Sequence, residues 1–524
     1  MASVMFPRQA VAPGRPWWSR SQRTGAIGAL ILGVTAVRVL LAASLPLLPQ
    51  EAYYWSWSRS LDWSYFDHPP LAAYSIALST AIAGQTVFGI KLAAVAWSVG
   101  WNLLWARLVL DMYGDRRLAF WCVAVLNLCL LYLSMGVTPT PDGPLLFGWI
   151  GTIWALWRVS AGGDPRWWYA AGVFAGLAMI GKYAAVLLLP VVLSYLALSP
   201  NQRHWLRKPQ PYLAMLIATL IFTPVIVWNA DHGWASFAFQ GSKRIGQMGG
   251  FKPHFLALLI GTQLLLVTPY LLALCLSTFW RGAVAWRTAA FDERTRLLWL
   301  SAAVPLVLFT LVSLRSHVKP NWLAPAYWSL IILGVRHLLA GGAPRWRAGL
   351  ASSALVVVLA LGVSLAPTLP MLRGSDSWSG WHEAAQRVAQ EQNALQVAGQ
   401  RSFVFSPNYK ISSLLRFYLP GQERTYAQDI YGARALQFDH GSAPEDLRGA
   451  TGLLVLSDQP QSHLDLSRLK PYFDSVTLAA VVETRTFGRV LRRIEIYRCE
   501  NYKGHPRLTG QRTEHAGEAT EAAE

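Results

Sequence analysis

Apolar runs long enough to cross a bilayer recur through the first 370 residues, separated by short polar turns. The pattern predicts spans near 25–48, 86–110, 118–136, 143–158, 168–181, 183–198, 211–229, 255–280, 297–314, 321–340 and 348–370. Several are shorter than the roughly 20 residues an upright crossing needs. Ala42-Ala43-Ser44 imitates a signal-peptide cleavage site, but the first run is long for that role and carries Arg38, so it reads as a retained span. From about Ser375 the periodicity changes. Trp381 to Gln392 has helical apolar spacing, whereas Phe403-Val404-Phe405, Leu453 to Leu456, Val476 to Val482 and Val490 to Tyr497 read as strands.

The expectation is a mainly α protein: a polytopic transmembrane helical bundle of about eleven spans with a small C-terminal α/β extracytoplasmic domain. The domains are a basic cytoplasmic N-terminus (1–24), a transmembrane catalytic domain (25–372), a periplasmic α/β domain (373–504) and a disordered tail (505–524). No internal repeat is evident.

Charge placement supplies the orientation. The 524 residues are 53% hydrophobic and only 14% charged, which excludes an ordinary soluble enzyme and intrinsic disorder. From Arg373 onward 18 basic residues balance 18 acidic ones, so the whole formal charge of +18 resides in the membrane half. Arg116, Arg117, Arg158, Arg166, Arg203, Arg207, Lys208, Arg281, Arg287, Arg294, Arg296, Arg336, Arg345 and Arg347 fall in alternate connections. The positive-inside rule makes those connections cytoplasmic and puts the C-terminal region outside. This charge suits anionic lipid, with no nucleic-acid motif beside it. Cys122, Cys129, Cys275 and Cys499 form neither a disulfide framework nor a CxxC site.

Five acidic residues before Arg373 then fall on the outer side: Glu51, Asp62, Asp67, Asp142 and Asp231. The remaining five, Asp111, Asp115, Asp164, Asp292 and Glu293, sit in basic turns where charge pairing explains them. The first outer loop holds Glu51, Tyr53, Tyr54, Trp55 and Trp57, then Asp67-His68-Pro69-Pro70. An interfacial helix accounts for its aromatics but not for two carboxylates and a histidine. Asp142, in Thr138-Pro139-Thr140-Pro141-Asp142-Gly143-Pro144, opens a span; dipole stabilisation alone and a carboxylate aimed at a site are equally good readings. Lys182, in Gly181-Lys182-Tyr183, interrupts an apolar stretch and either snorkels or meets an anion. Lys243, Arg244, Lys252, Arg315, His317 and Lys319, with Asn321 following, place cations on the side the charge rule should deplete. Together they suit an anionic ligand, most simply a phosphate, with aromatic and amide side chains for a sugar. P-loop, Rossmann, GxSxG and HExxH motifs are all lacking.

Gln50-Glu51-Ala52-Tyr53-Tyr54-Trp55 with Asp67-His68-Pro69-Pro70, Thr140-Pro141-Asp142-Gly143-Pro144-Leu145, Gly181-Lys182-Tyr183 and Trp228-Asn229 resemble the bacterial glycosyltransferase family 39 group. Its members include relatives of protein O-mannosyltransferases and of the lipid A aminoarabinose transferase. The stretch from Trp381 to about Tyr502 resembles the extracytoplasmic domain of such members.

The resemblance implies a GT-C fold and a polyprenyl-phosphate sugar donor. It further implies inverting transfer to a lipid, glycan or protein acceptor on the periplasmic face of the bacterial inner membrane. The family motif usually reads Asp-Glu; here Gln50 stands in the Asp position, which passes any base role to Glu51, Asp67 or Asp142. On this reading Glu51, Asp142 and Asp67 are the catalytic candidates. Lys182, Tyr53, Tyr54, His68, Lys243, Arg244, His317, Lys319 and Asn321 are the substrate-binding ones. No cofactor is required; a divalent cation bridging Glu51 and Asp142 suits hard carboxylate oxygens without being needed. The rival reading is a transporter or flippase of lipid-linked sugars, which shares the spans and the cations.

Overall fold

The computed structural model describes residues 20–243, 249–286, 288, 291–341, 346–365, 379–440, 447–459, 462–486 and 489–504. Residues 1–19, Arg244 and the tail from His505 lie outside them, so the expectations for those segments lie outside too. The chain divides into two compact units. One comprises Met1–Ser44, Asp62–Ser64 and His68–Gly362; the other comprises Leu45–Leu61, Tyr65–Asp67 and Val363–Glu524.

The first unit is helical. Six of its helices are long and apolar enough to cross a membrane: Gly25–Ser44, Val87–Tyr113, Pro209–Asp231, Glu293–Val312, Pro320–Gly341 and Trp346–Val363. A seventh crossing is counted if Pro253–Leu266 and Pro269–Ala285 form one broken span, bent by 116°. The eleven crossings expected from apolar runs therefore exceed what length and composition identify among the described helices. The difference lies in where the runs break. The run at 118–136 splits into Arg116–Asn127 and Leu130–Met135, and Trp167–Gly181 and Tyr183–Leu198, which lie on either side of the break expected at Lys182, are too short to be counted. At Thr268 the backbone takes φ 73°, a conformation costly for a β-branched residue, and Pro269 starts a new helix there.

Glycines set how closely these helices pack. The helices Asp142–Ser160 and Trp167–Gly181 meet where a Cβ on Gly148 would lie 2.5 Å from the Phe174 carbonyl oxygen and 2.6 Å from the Ala178 nitrogen. Gly172 meets the Ala214 carbonyl oxygen of the next helix with a corresponding 2.5 Å. Between lipid-solvated helices, close backbone approach through small residues supplies the packing energy.

The second unit carries a four-stranded sheet of order β1-β2-β4-β3, with β1 Ser402–Phe405, β2 Thr451–Ser457, β3 Ser475–Thr486 and β4 Arg489–Glu500. β1 and β2 are parallel, while the β2–β4 and β3–β4 pairs are antiparallel. Parallel pairing needs a crossover, and Tyr409–Tyr418 supplies a helix between β1 and β2. That helix also packs on the first-loop helix Pro49–Ser58, with Trp55 edge-on to Phe417 at 5.0 Å.

Gly148→Ala forces backbone apart and is expected to cost about 1–3 kcal/mol, read as a lower thermal midpoint of the detergent-solubilised chain. Gly28→Ala, whose added Cβ meets nothing within 4 Å, serves as the control and leaves the midpoint in place. Equal midpoints for the two variants would contradict this packing.

Candidate active site

Pro139 and Pro141 deny the chain two backbone donors and fix φ, so the helix that follows opens only at Asp142. The Asp142 carboxylate therefore sits in the first turn, where the helix dipole favours a negative charge. The Trp167–Gly181 helix ends against this turn. A Cβ on Gly181 would lie 3.1 Å from the Leu145 nitrogen and from Pro144, so the absence of a side chain permits the approach. Lys182 then leaves the helix in an extended conformation (φ −157°, ψ 137°), and a 3₁₀ turn, Tyr183–Leu187, continues the chain.

These two breaks bring opposite charges together. Lys182 Nζ lies 2.6 Å from Asp142 Oδ1, with Asp142 2% and Lys182 6% exposed. Asn321 Nδ2 donates to Asp142 Oδ2 at 2.7 Å, and Thr140 Oγ1 donates to the same oxygen at 3.2 Å. A buried ion pair holds only when further hydrogen bonds offset its desolvation, and here three donors converge on one carboxylate.

Asn321 is itself braced. It sits on the 3₁₀ turn Pro320–Leu323, whose Pro320 carbonyl accepts from Gln263 Nε2 at 3.1 Å. The Ala324 carbonyl just beyond accepts from the Tyr132 hydroxyl at 2.7 Å. The Tyr132 carbonyl accepts from Arg38 Nη2 at 3.1 Å, and the same nitrogen donates to Asn127 Oδ1 at 2.8 Å. Arg38, fully buried in the first span, thus fastens the helix that leads into the Asp142 turn. A small pocket lined by Ser75, Trp97, Met135, Pro139, Thr140 and Gly143 opens beside that turn.

The first-loop candidates Glu51, Tyr53, Tyr54 and Asp67 belong to the second unit. Glu51 is fully buried, and its Oε2 accepts from the Leu48 nitrogen at 2.9 Å, so it caps its own helix. Tyr53 donates to Asp67, and its ring packs against Trp57, Tyr409 and Phe438. Burial raises its hydroxyl pKa well above the usual range, and the Asp67 charge adds to this. Its ring is therefore part of a packed cluster, not an open stacking platform. Tyr54 is buried as well. Gln437 joins the group: its nitrogen donates to the Tyr53 oxygen at 3.2 Å, and its Oε1 accepts from the Phe66 nitrogen at 2.6 Å.

The remaining candidates are more scattered. His68, half-buried, lies in the first unit. His317 and Lys319 are exposed on the connector ahead of Asn321. The Lys243 side chain and all of Arg244 lie outside the described residues. In the Trp228-Asn229 motif, Trp228 Nε1 donates to Asp62 Oδ2 at 2.8 Å, and Asn229 Oδ1 accepts from the Phe237 nitrogen at 3.2 Å. That motif therefore ties a loop down. Sequence reasoning missed Arg38, Gln263, Tyr132 and Gln437; only Arg38 and Gln263, polar residues inside apolar runs, carried a signal. No three His, Cys, Asp or Glu side chains converge among the described residues. The Asp142 oxygens face an ammonium and two neutral donors, a poor set for a cation.

The sequence model of the dolichyl-phosphate-mannose-protein mannosyltransferase family matches residues 67–228. The lipid A galacturonosyltransferase RgtD of Rhizobium johnstonii is 24% identical over 444 residues, 84% of this chain and 91% of that protein. The undecaprenyl phosphate-alpha-4-amino-4-deoxy-L-arabinose arabinosyl transferase of Pseudomonas aeruginosa (strain UCBPP-PA14) is 27% identical over 326 residues. That match covers 55% of this chain and about half of the relative, 54%. The crystal structure of ArnT from Cupriavidus metallidurans shares the fold, with a TM-score of 0.61 at 15% identity over 91% of this chain and 98% of that one. Its undecaprenyl phosphate-bound form gives 0.59 at 17% identity, with the same coverage.

These relatives support the resemblance to GT-C glycosyltransferases, and the chain shares the fold of ArnT. The resemblance read from its motifs holds, and the protein is a membrane glycosyltransferase. Within this chain the match at 67–228 contains both Asp142 and Lys182, while Asn321 comes from outside it.

Asp142→Ala strands a buried ammonium and is expected to cost about 3–5 kcal/mol of stability. Combining Asp142→Leu with Lys182→Met should restore most of that stability without restoring activity. Additive losses in thermal unfolding would show that the pair is not coupled.

In the second unit, burial raises the Asp429 carboxyl from 3.8 to about 7, with the Asp439 charge contributing. The folded state thus holds a proton that the unfolded state releases near pH 4. This contribution to stability is complete below about pH 4 and lost as pH rises through about 7. Asp429→Asn should therefore gain on the wild type between pH 4 and 7 and hold a constant lead above. A pH-independent difference in unfolding free energy would contradict the assignment.

Proposed function

We propose that this chain transfers a sugar from a polyprenyl-phosphate carrier to a lipid A-type acceptor at the periplasmic face of the bacterial inner membrane, with inversion at the anomeric carbon. The observation that carries the proposal is the cluster of Lys182, Asp142 and Asn321, set where two helices break within an apolar bundle. The acceptors and carrier named for RgtD, for the arabinosyl transferase and for the ligand-bound ArnT support the choice of substrates. The basic connections on alternate turns support the orientation.

The acceptor oxygen attacks C1 of the sugar from the face opposite the phosphate. The bond from C1 to the phosphate oxygen breaks, and its electron pair leaves with the polyprenyl phosphate. Negative charge grows on that phosphate in the transition state. Lys182 spends one of its three donors on Asp142 and offers the others to the phosphate oxygens. Asp142 and Asn321 fix the ammonium in advance, so little reorganisation is needed as the charge develops. When the acceptor is a hydroxyl its proton passes to a base. An acceptor that is already an ionised phosphate needs no base. This mechanism uses no metal.

The test is transfer of labelled sugar from polyprenyl phosphate to lipid A in reconstituted membranes. Lys182→Met should lower kcat by roughly 100-fold or more, the scale of a lost preorganised donor. Absence of product from the wild type, or full turnover by Lys182→Met, would overturn the proposal.

A further inference from the structure

Asp142 opens the helix Asp142–Ser160, and Trp157 lies near its other end, about 22 Å away along the axis at 1.5 Å per residue. At that far end the Arg294 guanidinium carbon lies 5.5 Å from the Trp157 ring centre and 5.5 Å from that of Tyr113. The Arg336 guanidinium carbon lies 5.2 Å from the same tyrosine ring, so two cations share it. Three membrane-crossing helices deliver these side chains to one level. Tyr113 closes Val87–Tyr113, Arg294 lies in the first turn of Glu293–Val312, and Arg336 lies near the end of Pro320–Gly341.

The carboxylates nearby are committed elsewhere. Asp292, whose charge reaches Tyr113, accepts from the Thr295 nitrogen at 2.9 Å. Glu293 pairs with Arg296 at 3.3 Å, and Asp111 pairs with Arg107 at 3.0 Å and with Arg158 at 3.2 Å. Arg294 makes no ion pair among the described residues. The Tyr113 hydroxyl is covered by protein and has no hydrogen-bond partner, and the same holds for Nδ1 of His337, which follows Arg336.

Aromatic faces seat guanidiniums without neutralising them, and half-burial strengthens the repulsion between the two. Guanidinium forks match phosphate oxygens in geometry and charge. A shift of either arginine onto such a phosphate would bare the Tyr113 hydroxyl as a further donor. The surface alongside favours a lipid over a soluble anion. Leu276, Trp280 and Val284, spaced by four on Pro269–Ala285, are all exposed and make an apolar track for an acyl chain. Arg281 follows Trp280, and its charge acts on His337, beside Arg336. Basic sites between helix ends suit anionic headgroups.

We propose that Arg294, Arg336 and Tyr113 bind the phosphate of an anionic phospholipid in the leaflet opposite the Asp142 turn, the leaflet that the charge rule makes cytoplasmic. Binding there requires neither sugar donor nor acceptor.

The experiment uses the full chain, purified in a neutral detergent and stripped of lipid, titrated separately with phosphatidylglycerol and phosphatidylcholine. Native mass spectrometry counts bound lipid, and the thermal midpoint is followed alongside. Phosphatidylglycerol should bind and raise the midpoint, and phosphatidylcholine should do neither. Arg294→Gln and Arg336→Gln should each weaken phosphatidylglycerol binding about ten-fold, the loss of one charge-assisted bond. Arg207→Gln, which removes an equal charge from an exposed position in another basic connection, should leave the affinity unchanged.

Tyr113→Phe removes a hydroxyl that has no protein partner. It should keep the lipid-free midpoint and still weaken binding, which tests the site even where an arginine variant fails to fold. Equal binding of phosphatidylcholine, unchanged affinity in the Arg294, Arg336 and Tyr113 variants, or an equal loss in Arg207→Gln overturns the proposal. Displacement of the lipid by inorganic phosphate would mark a soluble-anion site and overturn the lipid assignment.

Discussion

A buried carboxylate–ammonium pair joins three discontinuous pieces of the membrane unit. Asp142 heads one helix, Lys182 closes another, and Asn321 arrives from a 3₁₀ turn far along the chain. In an apolar bundle neither charge is tolerable alone, so the geometry of all three pieces is bound to the pairing. Each piece is a place where a helix stops. Two prolines delay the helix before Asp142, Gly181 lets the second helix end against it, and Pro320 starts the turn that carries Asn321.

Around the pair the unit spends further buried polar groups on positioning. Arg38 reaches the Tyr132 carbonyl, and Tyr132 reaches Ala324, one turn from Asn321. Gln263 holds Pro320 from the opposite direction. These contacts exchange polar groups that lipid would reject for a fixed carboxylate and a fixed amide. Pre-setting these groups before the substrate arrives lets fixed donors meet developing charge without reorganisation.

The parts of this arrangement that were legible from sequence are those with a local cost. Lys182 stands out because a lysine breaks an apolar stretch, and Asp142 because prolines flank it. Their partnership was not legible, since nothing local records a contact across 40 residues. Asn321 was read as a substrate ligand, and its amide also donates to the Asp142 carboxylate. Glu51 was read for chemistry and also caps its own helix, a role its position three residues after Leu48 encodes. Periodicity found the apolar runs and the strand segments, but it treats every run as straight. The bend between Pro253–Leu266 and Pro269–Ala285 and the split of 118–136 are breaks inside single apolar runs, and Trp167–Gly181 and Tyr183–Leu198 are short, which is why counted runs exceed counted crossings.

The most direct measurement is a cryo-EM structure of the chain in nanodiscs with a non-hydrolysable polyprenyl-phosphate sugar bound. The account predicts phosphate density within hydrogen-bond reach of Lys182 Nζ, with Asp142 and Asn321 still in contact. Phosphate bound elsewhere, with the Lys182 ammonium facing only Asp142, would contradict it.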